Sequence, residues 1–267
     1  MMKYRLIMIN SIGISSMSLF CNIKLNKKLA RRTLSIIACC TLVPLLANSN
    51  ETSPASLSQF NENITAKLHF SDSGIPWGMA WLPNGDLLIT LRDGELKKLK
   101  KGQTIAETIS DLPEIAVGSQ GGLLDVAVHP DYASNGWIYF SYAKKDNKGN
   151  KSTAIMRAKL SGKKLTEQED IYVAQAYGRK GNHFGSRLAF DNQGYLYFSI
   201  GDRGKRDVNP QDITRDAGKV YRLHDDGRIP DDNPFVNNDK AKKAIYSYGH
   251  RNPQGMVKHP ITGDIWT

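Results

Sequence analysis

From Gly78 to Thr267 the chain repeats one hydrophobic pattern four times: a short apolar strand, a turn built on Pro or Asp with Gly, and a second strand rich in aromatic and aliphatic residues. The copies read GMAWLPNGDLLIT from Gly78, LDVAVHPDYASNGWIYFSY from Leu124, SRLAFDNQGYLYFSIGD from Ser186 and QGMVKHPITGDIWT from Gln254, with Ala80, Ala127, Ala189 and Val257 at corresponding positions. Repeats of about 40 to 50 residues holding several short strands predict a β-propeller, and the longer intervals seen here leave room for loops at one face. Alternation over Trp137 to Tyr142 and Tyr195 to Ile200 predicts strands held between neighbouring sheets. No stretch after residue 50 sustains a helical period. The predicted fold class is therefore all-β, a propeller of which about four blades are represented. The last opening stops at Thr267 in mid-strand. An open arc of blades leaves bare edges, so the sequence is expected to be the N-terminal portion of a longer protein, with a compact four-bladed domain as the alternative.

Ahead of the repeats the pattern changes. Arg31 and Arg32 precede an apolar run from Thr33 to Leu46, and Ala47 and Ser49 occupy the small-residue positions of a cleavage site. Residues 1–49 are read as a secretory leader and 50–267 as the mature portion. An earlier apolar run, Leu6 to Phe20, is broken by Asn10 and several serines, which disfavours a spanning helix; initiation at Met17 would leave one ordinary signal peptide. Seven Lys and Arg and no acid lie in the leader, so the remainder carries 29 basic and 26 acidic residues, a net charge of +3 against +10 for the whole. A basic face for nucleic acid does not survive processing. Cys21, Cys39 and Cys40 are also in the leader, so the mature part has no disulfide, as suits a core large enough to stand unstapled. Export to a bacterial periplasm, without stable membrane insertion, is expected. A loose lipoprotein box at Ile36 to Cys39 gives an outer-membrane lipoprotein as the minor alternative.

Chemistry concentrates in NHFGSRLAFDNQGYLYFSIGD, from Asn182 to Asp202. A hairpin turning at Asn192, Gln193 and Gly194 brings the residue before its first strand and the residue after its second to one end of the sheet. That places His183 beside Asp202. An imidazole held by a carboxylate on one nitrogen suits removal of a hydroxyl proton at the other, although a purely structural histidine would read the same way. Arg203, Lys205, Arg206 and Asp207 follow on the same loop as further candidates for substrate or cofactor contact. Gln120 reads equally as a polar turn residue or a ligand contact. His129 and His259, in His-Pro turns, read as turn packing, and His250 as structural. The lysine runs, including Lys97, Lys98, Lys100 and Lys101, read as solvated surface.

The runs PWGMAWLPNGDLLIT, SQGGLLDVAVHPDY, NHFGSRLAFD, SIGDRG, AGKVYRLHDDGRIPDDNPF and YSYGHRNPQGM resemble, in family order, the soluble quinoprotein glucose and sorbosone dehydrogenases, most closely their aldose sugar dehydrogenase branch. The resemblance implies a six-bladed antiparallel propeller holding pyrroloquinoline quinone (PQQ) and calcium, and oxidation of an aldose at its C1 hydroxyl to the lactone, with electrons passed to an external acceptor. It implies that His183 is the base and Asp202 its orienting partner, and that Gln120, Arg251 and Asn252 contact the cofactor. A planar tricarboxylate calls for a guanidinium fork and amide donors of that kind. Asn182 and Asp207 depart from the glucose enzyme's pattern and leave the substrate pocket open. The calcium-binding segment of the family falls after the strand that ends this sequence, so no metal ligand is assigned and the 267 residues alone are expected to be inactive. Two other classes stay open: a non-catalytic carbohydrate- or ligand-binding propeller, and a sugar-lactone hydrolase, for which no ring of Glu, Asn and Asp stands out.

Overall fold

The computed structural model describes residues 4–11, 64–72 and 74–267. Most of the proposed leader, its cleavage site and its cysteines lie outside the described residues. Contacts divide the chain into a short N-terminal unit, Lys3–Ser71, and a main unit that contains everything from Asp72 onward. In the first, β1 (Tyr4–Ser11) pairs with β2 (Ile64–Asp72). Among the described residues no helix is long and apolar enough to cross a membrane.

The main unit is built from antiparallel four-stranded sheets laid down one after another. β3 (Pro76–Trp81), β4 (Leu87–Leu91), β5 (Glu95–Leu99) and β6 (Glu107–Ile109) form the first. β7 (Leu123–Val128), β8 (Trp137–Lys145), β9 (Lys151–Ser161) and β10 (Lys164–Val173) form the second, and β11 (Leu188–Phe190), β12 (Leu196–Ile200), β13 (Lys219–Leu223) and β14 (Ile245–Tyr248) the third. β15 (Val257–Lys258) and β16 (Ile265–Trp266) make a two-stranded hairpin. These are three complete propeller blades and the opening hairpin of a fourth. Each predicted repeat opening is the first hairpin of a blade: Ala80 pairs with Leu88, Ala127 with Tyr139, Ala189 with Tyr197 and Val257 with Trp266. The sole helix among the described residues is the single turn α1 (Tyr132–Asn135), inside the β7–β8 connection.

The second strands β4 and β12 are buried along their whole length, and β8 along all but its ends; β8 and β12 each pack one face on the preceding sheet and the other on the following one. In β8, Ile138, Phe140 and Tyr142 pack with Leu88, Leu96 and Ile109 of the preceding blade, whereas Tyr139 joins Leu188, Phe190 and Phe198 of the following one. In β12, Leu196, Phe198 and Ile200 face back and Tyr197 faces forward, toward Met256 and Ile265. The apolar cores thus lie between the blades.

One polar position recurs within this apolar packing. Thr90, Ser141 and Ser199 sit on β4, β8 and β12, each without solvent exposure. Each accepts a backbone N–H from the start of its own blade: Gly78 at 2.9 Å, Asp125 at 2.9 Å and Arg187 at 3.1 Å. Each donates its hydroxyl to a backbone carbonyl of the next blade, that of Leu124, of Ser186 at 2.5 Å and of Pro253 at 2.7 Å. A small hydroxyl two residues beyond the paired aromatic or Leu therefore ties each blade to its successor. Asp125, which is buried, and the partly exposed Arg187 add an ion pair between the second and third blades at 2.9 Å, with Asp125 also accepting from the Leu188 N–H at 2.8 Å.

Candidate active site

The hairpin of β11 and β12 places two loops side by side at one end of the third blade. Its turn is held by Asp191, whose Oδ1 accepts the N–H groups of Gln193 and Tyr195, both at 2.9 Å, while Gly194 takes φ 83°. At the other end the incoming loop carries His183 and the outgoing loop carries Asp202. The two loops touch backbone to backbone. A Cβ on Gly201 would stand 2.3 Å from the His183 carbonyl oxygen, and one on Gly185, at φ 65°, would stand 2.8 Å from the Ser199 carbonyl oxygen. Glycine at both points is what allows this approach.

His183 itself has φ 55°, a left-handed conformation that costs a non-glycine residue on the order of 1–3 kcal/mol. Surrounding bonds hold it there. Its N–H donates to Gln120 Oε1 at 2.7 Å, and the nearby Gly185 N–H donates to Asn252 Oδ1 at 3.0 Å. Its Nδ1 lies 2.6 Å from Asp202 Oδ1. The same oxygen receives the Gly204 N–H at 2.7 Å, and Asp202 is fully buried. A carboxylate can only accept, so Nδ1 carries a hydrogen, and in the neutral ring Nε2 presents a lone pair. Nε2 has no protein partner among the described residues, and the His183 side chain retains 13% exposure, enough for a small molecule to reach it.

The remaining predicted site residues gather around this pair. Gln120 and Asn252 both use their carbonyl oxygen to hold the His183 loop, which leaves their amide N–H₂ groups as unspent donors. Arg251 accepts the Asp202 N–H on its backbone oxygen at 2.7 Å, while its side chain is exposed and, among the described residues, without an acidic partner. His250 donates its backbone N–H to the Gly218 carbonyl at 3.1 Å and bonds Ser247 Oγ through Nε2 at 2.9 Å, and burial together with the nearby Lys219 ammonium lowers its pKa. His129 Nδ1 and His259 Nδ1 accept the backbone N–H groups of Asp131 and Thr262 at 2.9 and 3.1 Å, which makes both of them turn residues.

In the loop after Asp202, Arg203 differs from its sequence reading. Arg203 is a brace: only 5% exposed, it stacks on Phe184 at 3.7 Å and donates to the backbone carbonyls of Asn182, Lys151 and Lys180. Burial lowers its pKa to about 10, against the opposing field of Asp202. Lys205, Arg206 and Asp207 are exposed, and Arg206 pairs with Asp207 at 3.4 Å. Asn209, which no motif marked, donates to the Asp202 carbonyl at 2.9 Å. Lys219, also unmarked, is fully buried on β13 and donates to the carbonyls of Asn209, Pro210 and Ala217 at 2.7, 3.1 and 2.8 Å. A buried lysine in a strand gives no sequence signal, because its purpose is set by a loop ten residues away.

Residues 73–267 match the profile of the glucose/sorbosone dehydrogenase family, and the chain belongs to that family. It is 39% identical over 228 residues to the aldose sugar dehydrogenase YliI of Escherichia coli K12, covering 84% of this chain and 60% of that protein. It is 29% identical over 266 residues to quinoprotein glucose dehydrogenase B of Acinetobacter calcoaceticus, 88% of this chain and 55% of the relative. Among solved structures, the PQQ-bound aldose sugar dehydrogenase of Streptomyces coelicolor superposes with a TM-score of 0.62 at 28% identity, over 73% of this chain and 56% of that one. The chain therefore spans a little over half the length of these relatives.

Proposed function

We propose that the whole propeller to which these blades belong is a PQQ-dependent aldose sugar dehydrogenase, exported to the periplasm, that oxidises the C1 hydroxyl to the lactone and passes electrons to an external acceptor. The carrying observation is the 2.6 Å contact between His183 Nδ1 and Asp202 Oδ1, with Nε2 left unbonded. The imidazole takes the hydroxyl proton on Nε2, and Asp202 stabilises the imidazolium so formed while fixing the ring's tautomer. Fixing the ring by two loops that meet at glycine keeps the base from swinging away, so little reorganisation accompanies proton transfer.

The donor set fits the cofactor. A tricarboxylate matches the free guanidinium of Arg251 and the unspent amide donors of Gln120 and Asn252. PQQ, when bound, supplies a quinone carbon that accepts the hydride released from C1. Calcium is expected alongside it from the family. Among the described residues there is no group of three or more His, Cys, Asp or Glu placed to hold a metal, so its ligands are not drawn from such a cluster here.

The test uses a polypeptide carrying these residues in a closed propeller, loaded with PQQ and assayed with aldoses and a redox dye. Replacing His183 by Ala should lower kcat by on the order of 10²- to 10⁴-fold while the quinone absorbance still titrates to one equivalent. Near wild-type turnover by that variant would remove the proposal's basis.

A further inference from the structure

Beside the His183 loop, and lined by neither His183 nor Gln120, Arg251 or Asn252, is a cavity of about 470 Å³. Its walls come from the segment after β10 and from the loop between Asp202 and β13. Arg179, Lys180, Arg203, Lys205 and Arg215 all line it. Arg215 is neutralised by Asp212 at 2.7 Å. The other four cations make no ion pair among the described residues, although most basic side chains elsewhere in the blades do. The only acid in the lining, Asp216, has its carboxylate committed: Tyr172 donates to it at 2.7 Å, the Gln175 N–H at 2.6 Å and Tyr221 at 3.1 Å, with Lys242 at 3.5 Å.

Arg203 makes this more than a patch of surface charge. A guanidinium 95% removed from water normally meets a carboxylate, because an unmatched buried charge is costly. Here the guanidinium bonds only to carbonyl dipoles and stacks on a phenyl face; the neighbouring Asp202 acts on it through its field but not through an ion pair, and its Nε has no acceptor at all. Four cations without an ion pair, in a concavity large enough for a small molecule, attract a multiply charged anion with tetrahedral or planar oxygens.

We infer that this cavity is a binding site for a phosphate-class oxyanion, separate from the residues that hold the cofactor. Arg179, Lys180 and Lys205, all exposed, reach the ligand from the walls, and the buried Arg203 supplies the fixed charge between them. The site is one bond from the acid that orients His183, since Arg203 follows Asp202 directly and donates to the carbonyl that precedes the histidine. The inference does not depend on the dehydrogenase reading.

Isothermal titration of the purified chain with inorganic pyrophosphate, at fixed ionic strength set with chloride, tests it. Saturable binding is expected. The double variant R179Q/K205Q, both positions exposed, should weaken it by about tenfold or more. The charge-matched variant K101Q/K163Q, at two positions outside the cavity lining, should stay within about twofold of wild type. Absence of saturable binding by the wild-type chain would overturn the proposal, as would equal weakening by the two double variants.

Discussion

At the scale of single residues, the pair His183 and Asp202 sets the sharpest expectations. Asp202→Asn keeps the size and buried position of the side chain, but an amide can present N–H₂ to Nδ1 and thereby move the imidazole hydrogen to Nε2. In the closed, PQQ-loaded propeller this should cost on the order of 10² to 10⁴ in kcat with little change in melting temperature, read by steady-state kinetics beside a thermal scan. His250 gives a pH signature instead. Its pKa is lowered in the fold by desolvation and by Lys219, so below the ordinary 6.5 the unfolded chain binds more protons than the folded one, and stability falls as pH drops through that window. His250→Gln should flatten the acid side of a denaturation-midpoint profile; an unchanged slope would show that the ring is not desolvated as described. Much of this scale was legible in the chain. The position of a histidine before one strand and an aspartate after its partner is enough to bring them together. What could not be read was the left-handed backbone of His183, because it is imposed by Gln120, sixty-three residues earlier, and by the Gly201 crossing.

At the scale of elements, the hairpin of β11 and β12 acts as a single positioning device. Gly201→Ala pushes a methyl group into the His183 carbonyl, 2.3 Å away, which is backbone and cannot retreat, and toward Asn252 Oδ1, 2.7 Å away, which could move only by giving up its bond to the Gly185 N–H. The expected result is a loss of about 2 kcal/mol or more in chemical denaturation, together with loss of the downfield Nδ1–H proton resonance that marks the His183–Asp202 bond. The strand pattern itself was readable from the alternation of aromatic and aliphatic residues, as was each hairpin turn. The loops were harder. Arg203 reads in sequence as a surface cation poised for a ligand, yet it turns inward because Phe184 and three backbone carbonyls offer it a cage assembled from three separate segments. Composition around Asp202 cannot signal that, since the cage is nowhere contiguous in the chain.

At the scale of the molecule, the recurring hydroxyls of Thr90, Ser141 and Ser199 join consecutive blades through a contact invisible to hydropathy, which records them only as polar interruptions of apolar strands. Ser141→Ala leaves the Asp125 N–H and the Ser186 carbonyl unmatched in a dry seam and should destabilise the chain by about 1–3 kcal/mol, measured by urea unfolding. Ser141→Val fills the volume without restoring either bond and should fare no better than Ala; if Val recovered wild-type stability, packing and not hydrogen bonding would govern the seam. These hydroxyls have a further consequence. Because each one reaches only across its own boundary, rigidity is handed along the ring from neighbour to neighbour, in the manner of stones in an arch. Amide exchange in a chain weakened at Ser141 should accordingly quicken in the two sheets flanking that joint and leave the first blade's far strands nearly as slow as before.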